Sequence, residues 1–144
     1  MTVVGYAPGA FDLFHVGHLR LLQRARQRCD VLVVGVVGDE LAELQRGERP
    51  VMSLAARMAA VDALPWVDLV VEDPSQDKWV IWDRIRFDVI FKGDDWQGMP
   101  KGDRLEAAMA RVGAEVVYLS YTRNVSSSLL REELRTLAAP HHPF

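Results

Sequence analysis

The strongest constraint on the fold is the stretch 30–37, where one aspartate is followed by an unbroken aliphatic and glycine run. A β-branched run of this kind is typical of a strand buried on both faces of a parallel sheet. Shorter apolar runs predict further strands at 3–6, 67–71, 88–92 and 115–119. Helical patterns lie between them, and a last helix is predicted at 126–137. This alternation predicts an α/β fold with a five-stranded parallel sheet and helices on both faces.

The chain length and charge limit what this domain can do. We assign residues 1–137 to one domain, and residues 138–144, which contain Pro140 and Pro143, to a tail or the start of a linker. A net charge of −3 argues against broad nucleic-acid or membrane binding. No apolar run has membrane-span length, no signal core follows the start, and Cys29 is the single cysteine. We therefore expect a cytoplasmic protein without an internal disulfide.

Polar and glycine-rich loops follow the predicted strands at 7–18, 38–40, 93–96 and 120–128. The loops at the other ends of the strands carry no such pattern. Ligands of parallel sheets bind beyond the carboxyl ends of the strands, where the strand order reverses. The sequence therefore predicts a binding site at this edge of the sheet.

The loop at 9–18 carries two histidines, His15 and His18, at the predicted start of a helix. Gly9 allows backbone amides to approach a ligand closely, and Gly17 keeps the helix start open. Unpaired N–H groups and the helix dipole favour phosphate there, and both imidazoles can donate to a polyphosphate on which charge develops. A surface turn with two incidental histidines is one alternative. Zinc ligation is another, although no compact set of cysteines or carboxylates surrounds the pair.

Three motifs resemble a known family. His15-Val16-Gly17-His18 has the HxGH form of the nucleotidyltransferase superfamily, and its flanks resemble the cytidylyltransferase branch. Gly93-Asp94-Asp95-Trp96 resembles the GDDW segment of glycerol-3-phosphate cytidylyltransferases, and residues 123–128 occupy the place of the family's RTEGISTT signature. The resemblance covers about residues 3–134 and implies a Rossmann-like domain of the HxGH type.

The resemblance implies transfer of CMP from CTP to a small phosphate-bearing alcohol, with release of pyrophosphate. Mg²⁺ would arrive with CTP, held by phosphate oxygens and water rather than by a protein metal site. Glycerol 3-phosphate is our first choice of acceptor. The alternative is 2-hydroxyethylphosphonate or another phosphonate, with this chain as one module of a larger enzyme. ATP-dependent adenylyl transfer and a non-catalytic nucleotide-binding module remain as alternatives. The family also implies a homodimer.

The resemblance assigns most site residues by position. Arg123 either reaches back to supply the contact of the signature arginine or that contact is missing, and Arg46 is a candidate to supply the charge of the family's loop lysines. The catalytic residues are His15, His18 and Arg123. The nucleotide-binding residues are Gly9, Ala10, Phe11, Asp12, Gly17, Arg57, Asp68, Gly93, Asp94, Trp96, Ser126 and Ser127. The acceptor-binding residues are Asp39, Arg46, Tyr121 and Thr122. The chain departs from the family twice, because Tyr121 occupies the place of the signature arginine and the loop at 44–49 lacks the family's lysines.

Overall fold

The computed structural model describes residues 1–120, and the rest of the chain lies outside this description. The elements, in chain order, are β1 (Val4–Gly9), α1 (Val16–Arg26), β2 (Val31–Val37), α2 (Asp39–Arg46), α3 (Leu54–Asp62), β3 (Leu69–Asp73), α4 (Lys78–Ile85), β4 (Val89–Gly93), α5 (Pro100–Val112) and β5 (Glu115–Leu119). A short 3-10 turn, Asp94–Trp96, follows β4. No helix among residues 1–120 is long and apolar enough to cross a membrane.

The five strands form one parallel sheet, as predicted, and their order is β3-β2-β1-β4-β5. The chain moves outward from β1 through β2 to β3, and then returns to the other side of β1 with β4. The strand order therefore reverses between β1 and β4. The loops that follow these two strands carry the HxGH and GDDW motifs, so the topology places both motifs at the crevice where such sheets bind ligands.

Helices cover both faces of the sheet, which confirms the predicted architecture. On one face, Leu22 of α1 and Val61 of α3 pack against β2 and β1. On the other face, Ile81 of α4 and Met109 of α5 pack against Tyr6 and its neighbours. Each of these four helix residues is at most 2% exposed. The central strands β1, β2 and β4 are thus buried on both sides, as their apolar composition requires.

Strand β3 begins at Leu69, two residues later than predicted, and ends at Asp73. The shift places Asp73 at the carboxyl edge of the sheet, where its side chain is fully buried. The Asp73 carboxylate accepts hydrogen bonds from the Tyr6 hydroxyl, the Ser75 hydroxyl and the Lys78 ammonium. A buried carboxylate requires such hydrogen-bond and charge partners. Through them, Asp73 joins the centre of the sheet to the start of α4.

Candidate active site

A cavity of about 380 Å³ lies at the carboxyl ends of β1 and β4. Eight predicted site residues line it: Gly9, Ala10, Phe11, Asp12, His18, Arg46, Gly93 and Trp96. They come from the loop after β1, the end of α2 and the loop after β4. The structure therefore brings the HxGH and GDDW segments together around one space, at the edge of the sheet that the sequence indicated.

His15 and His18 are held at the start of α1 by a reciprocal capping arrangement. The Gly17 N–H donates to His15 Nδ1 at 3.0 Å, and the His15 N–H donates to His18 Nδ1 at 3.4 Å. The rings stack with their centroids 3.9 Å apart. Because each Nδ1 accepts a backbone N–H, each neutral ring carries its proton on Nε2. The cap therefore fixes the tautomer that can donate a hydrogen bond from Nε2.

Both imidazoles are neutral near pH 7. Burial, with smaller contributions from the His15 ring and Arg46, lowers the pKa of His18 to about 3. Burial also lowers the pKa of His15. His18 faces the cavity, whereas His15 is only 7% exposed and lies behind it. Near pH 7, His18 is thus a neutral donor rather than a fixed cation, and His15 orients it.

Asp12 ties the loop after β1 to the segment between α2 and α3. Its side chain is 1% exposed, and its two carboxylate oxygens accept the N–H groups of Val51 at 2.9 Å and Met52 at 3.0 Å. Across residues 1–120, no three His, Cys, Asp or Glu side chains are grouped to hold a metal ion. The two hydrogen bonds accepted by the Asp12 carboxylate fix the relative position of these two loops around the cavity.

Arg57 and Asp39 do not line the cavity, and the contacts of Arg57 correct the role predicted for it. The Arg57 guanidinium is fully buried and donates to the carbonyl oxygens of Ala10, Val37 and Met52, as well as to the Asp39 carboxylate. These contacts leave Arg57 enclosed by protein, without a face toward a nucleotide. We replace the predicted nucleotide contact of Arg57 with a positioning role, whereas the acceptor contact of Asp39, whose side chain is 31% exposed, stays a prediction.

Three other predicted residues, Asp68, Gly17 and Asp94, also do not line the cavity. Asp68 precedes β3 at the amino end of the sheet, where it pairs with Arg26 and accepts the Leu32 N–H. A nucleotide bound at the carboxyl ends does not reach that edge, so we remove Asp68 from the site. The Gly17 N–H is used by the His15 ring, and Asp95, rather than Asp94, lines the cavity.

Three polar residues of the cavity, Gln45, Lys92 and Lys101, were not predicted, and Asp95 was predicted only as part of the GDDW segment. The Lys92 and Lys101 ammonium nitrogens lie 3.9 and 4.7 Å from the centroid of the Trp96 ring. Burial, with a further contribution from Lys78, lowers the pKa of Lys92 to about 7. A lysine that ends an otherwise apolar strand, directly before Gly93, was the signal available in the sequence.

The backbone of Trp96 packs closely against α5 because Gly102 has no side chain. A methyl group on Gly102 would overlap the Trp96 carbonyl oxygen and lie 3.0 Å from the Tyr118 hydroxyl.

We expect Gly102→Ala to lower the free energy of unfolding by about 1–3 kcal/mol, since the buried backbone must move. Urea denaturation measures the loss. Ala107→Gln on the exposed side of the same helix is the control, expected to change stability by less than about 0.5 kcal/mol. Equal losses in both variants would contradict the close packing.

The predicted residues Tyr121, Thr122, Arg123, Ser126 and Ser127 lie outside the described residues, as does the tail at 138–144. The description ends beside α1, where Arg24 Nη1 donates to the Ser120 carbonyl oxygen at 2.9 Å. The assignments of these five residues therefore stay predictions.

A parallel sheet with this strand order, and a histidine-capped helix at its switch point, defines a nucleotide-binding α/β domain of the HxGH type. The family model described as cytidylyltransferase-like matches residues 6–133. The chain belongs to this cytidylyltransferase-like family of nucleotidyltransferase enzymes.

Individual relatives agree with the family match. The glycerol-3-phosphate cytidylyltransferase of Bacillus subtilis (strain 168) is 37% identical over 131 residues, covering 90% of this chain and 95% of that protein. The ethanolamine-phosphate cytidylyltransferase of Arabidopsis thaliana is 37% identical over 128 residues, covering 85% of this chain. The bifunctional protein HldE of Hydrogenovibrio crunogenus (strain DSM 25203 / XCL-2) is 34% identical over 135 residues, covering 92% of this chain. The matches span only 30% and 27% of the last two proteins.

Two solved structures share the fold. A lipopolysaccharide core biosynthesis protein from Thermoplasma volcanium has a TM-score of 0.74 and 25% identity, covering 85% of this chain and 99% of that one. The pantothenate synthetase of Thermus thermophilus has a TM-score of 0.60 and 17% identity, covering 90% of this chain and 64% of that one. The second similarity concerns the fold alone.

Proposed function

We propose that this chain transfers CMP from CTP to glycerol 3-phosphate, forming CDP-glycerol and releasing pyrophosphate. The main support is the cavity in which His18, Gly93 and Trp96 meet at the sheet's switch point. The choice of acceptor is supported by the Bacillus subtilis relative, whose similarity extends over nearly its whole length. Arg46, which also lines the cavity, supplies positive charge for two polyanionic substrates.

In the proposed reaction, a phosphate oxygen of the acceptor attacks the α-phosphorus of CTP. A new phosphorus–oxygen bond forms, the bond from the α-phosphorus to the bridging oxygen breaks, and pyrophosphate leaves with the bonding electrons. His18 donates from Nε2 to phosphate oxygens as charge moves onto the leaving group, and the stacked His15 keeps that ring in place. Catalysis then comes from positioning and charge stabilisation, without a covalent enzyme intermediate.

The described residues fit a metal ion that enters with the nucleotide. Asp95 is exposed and lines the cavity, so its carboxylate can approach such an ion or its water ligands. Bound Mg²⁺ supplies charge neutralisation on the phosphates. The chain's own donors, His18 and Arg46, orient the same phosphates from the protein side.

We also propose that Arg123, Ser126 and Ser127 bind the nucleotide phosphates, and that Tyr121 and Thr122 lie near the acceptor. The resemblance to the family signature supports these roles. The homodimer and the cytoplasmic location stay predictions as well. Sedimentation of the purified chain measures the first of these.

Pyrophosphate release with CTP or ATP against a panel of acceptors tests the proposed function. The panel contains glycerol 3-phosphate, ethanolamine phosphate and 2-hydroxyethylphosphonate. We expect turnover with CTP and glycerol 3-phosphate at a kcat/KM at least tenfold above every other combination. A higher kcat/KM with 2-hydroxyethylphosphonate would identify that phosphonate as the acceptor. A higher kcat/KM with ATP would identify ATP as the nucleotide. Tight CTP binding with no pyrophosphate release from any pair would indicate a non-catalytic nucleotide-binding module.

A further inference from the structure

The chain contains three lysines, and all three line a second cavity. Lys78, Lys92 and Lys101 border a space of about 300 Å³ between α2, α4 and α5. This second cavity shares Gln45, Lys92, Trp96 and Lys101 with the cavity that contains His18. The two spaces therefore adjoin, and the pair Lys92–Lys101 lies where they meet.

The charges of the three lysines are balanced differently. Lys78 Nζ lies 2.9 Å from the Asp73 carboxylate and 2.6 Å from the Ser75 carbonyl oxygen, so its charge is already paired. Within residues 1–120, the ion pairs closer than 4.0 Å include neither Lys92 nor Lys101. Both ammonium groups instead approach the ring of Trp96.

Contact with an aromatic ring attracts a cation but leaves its net charge in place. The positive charge of Lys101 is one of the causes that lower the pKa of Lys92, so the two side chains repel each other when both are protonated. An anion placed between them would remove this repulsion and complete their hydrogen bonding. A phosphate dianion has the charge and the acceptor oxygens that two lysines can bind together.

We propose that Lys92 and Lys101 bind the phosphate of the acceptor, and that the remainder of the acceptor occupies the second cavity. This inference rests on the proposed function, because it assumes that CTP occupies the neighbouring cavity. Leu105 and Ala108 give the second cavity an apolar wall, and Gln76 and Lys78 give it polar groups. Such a lining suits a short carbon chain with hydroxyl groups. Lys92 and Lys101 thus replace the lysines that are absent from the loop at 44–49.

Steady-state kinetics with Lys92→Met and Lys101→Met test this assignment. The KM for glycerol 3-phosphate should rise at least tenfold in each variant, while the KM for CTP stays within twofold of the unmodified value. Lys92→Arg and Lys101→Arg, which keep the charge, should raise the acceptor KM less than the Met variants do. Arg111→Met is the matched control, since Arg111 is exposed on α5 and lines neither cavity. It should leave both KM values unchanged.

A rise in the KM for CTP equal to that for the acceptor would overturn the assignment, as would unchanged acceptor KM values. Calorimetric titration with glycerol 3-phosphate gives a second readout that needs no turnover. The unmodified chain should bind it at least tenfold more tightly than either Met variant does, and equal affinities would overturn the inference. If the unmodified chain binds the acceptor through these lysines but releases no pyrophosphate from CTP, the proposed function fails and the anion site stands. If Lys92→Met fails to fold, the acceptor KM of the Lys101→Met variant tests the proposal, because Lys101 is exposed.

Discussion

Replacing His18 with alanine should lower kcat for pyrophosphate release by about 10²–10³-fold, because the variant loses a preorganised donor to the reacting phosphates. His18 lines the cavity, and its ring is oriented by the backbone N–H of His15 and by stacking on the His15 ring. The side chain lies at the start of α1, so its removal leaves the buried face of that helix intact. Initial rates of pyrophosphate release measure the loss.

The control for this experiment is the integrity of the fold. Circular dichroism and urea denaturation should show that His18→Ala has the native helix content and unfolds cooperatively. His18→Asn, which keeps a side-chain N–H donor, should retain more activity than the alanine variant. Near-normal pyrophosphate release by folded His18→Ala would refute the catalytic assignment.

The protonation state of His18 provides an independent check. Because the pKa of His18 is about 3 in the folded chain, compared with 6.5 for an unperturbed histidine, the unfolded chain binds more protons between these pH values. The free energy of unfolding should therefore fall as the pH is lowered through this range. The contribution of one such group is at most about 1.4 kcal/mol per pH unit. His18→Ala should flatten the slope, and an unchanged slope would contradict the buried, neutral state of the ring.

The strand pattern of the sequence was sufficient to predict the sheet and the position of its binding edge. Parallel strands buried on both faces have a simple apolar signature, and their carboxyl ends must meet at one edge. His18 and Trp96 follow two different strands, and the structure brings them to the same cavity. What determines this result is the strand order, which places β1 beside β4.

The errors in the predicted site have identifiable physical causes. Asp68 stands before its strand, so the predicted strand direction alone places it at the amino edge. An arginine on an Ala-rich helix gives no sign of burial, because two of the carbonyl groups that bind Arg57, those of Ala10 and Val37, come from distant parts of the chain. The resemblance places the family's lysines in the loop at 44–49 and so gives no role to Lys92, although a lysine near the end of an apolar strand is visible in the sequence.

The largest expected effect on stability comes from Arg57→Met. The buried guanidinium joins four parts of the site: the loop after β1 through Ala10, the end of β2 through Val37, the start of α2 through Asp39, and the segment before α3 through Met52. Methionine fills part of the volume but donates to none of these acceptors. We expect the free energy of unfolding to fall by about 3–5 kcal/mol, as is usual when one partner of a buried ion pair is removed. Urea denaturation at pH 7 measures the change.

Arg49→Met is the matched control, because Arg49 also pairs with Asp39 but is 59% exposed. Its carboxylate contacts of 3.4 and 3.6 Å lie at the surface, so we expect a loss of less than about 1 kcal/mol. Arg57→Lys should recover little of the stability lost in Arg57→Met, because one ammonium group cannot match the planar fork that reaches four acceptors. Equal losses in the Arg57 and Arg49 variants would mean that the charge near Asp39, rather than the buried network, carries the effect. A large loss confined to Arg57 would instead show that a residue without a face toward the cavity holds together the four parts of the site that its guanidinium contacts.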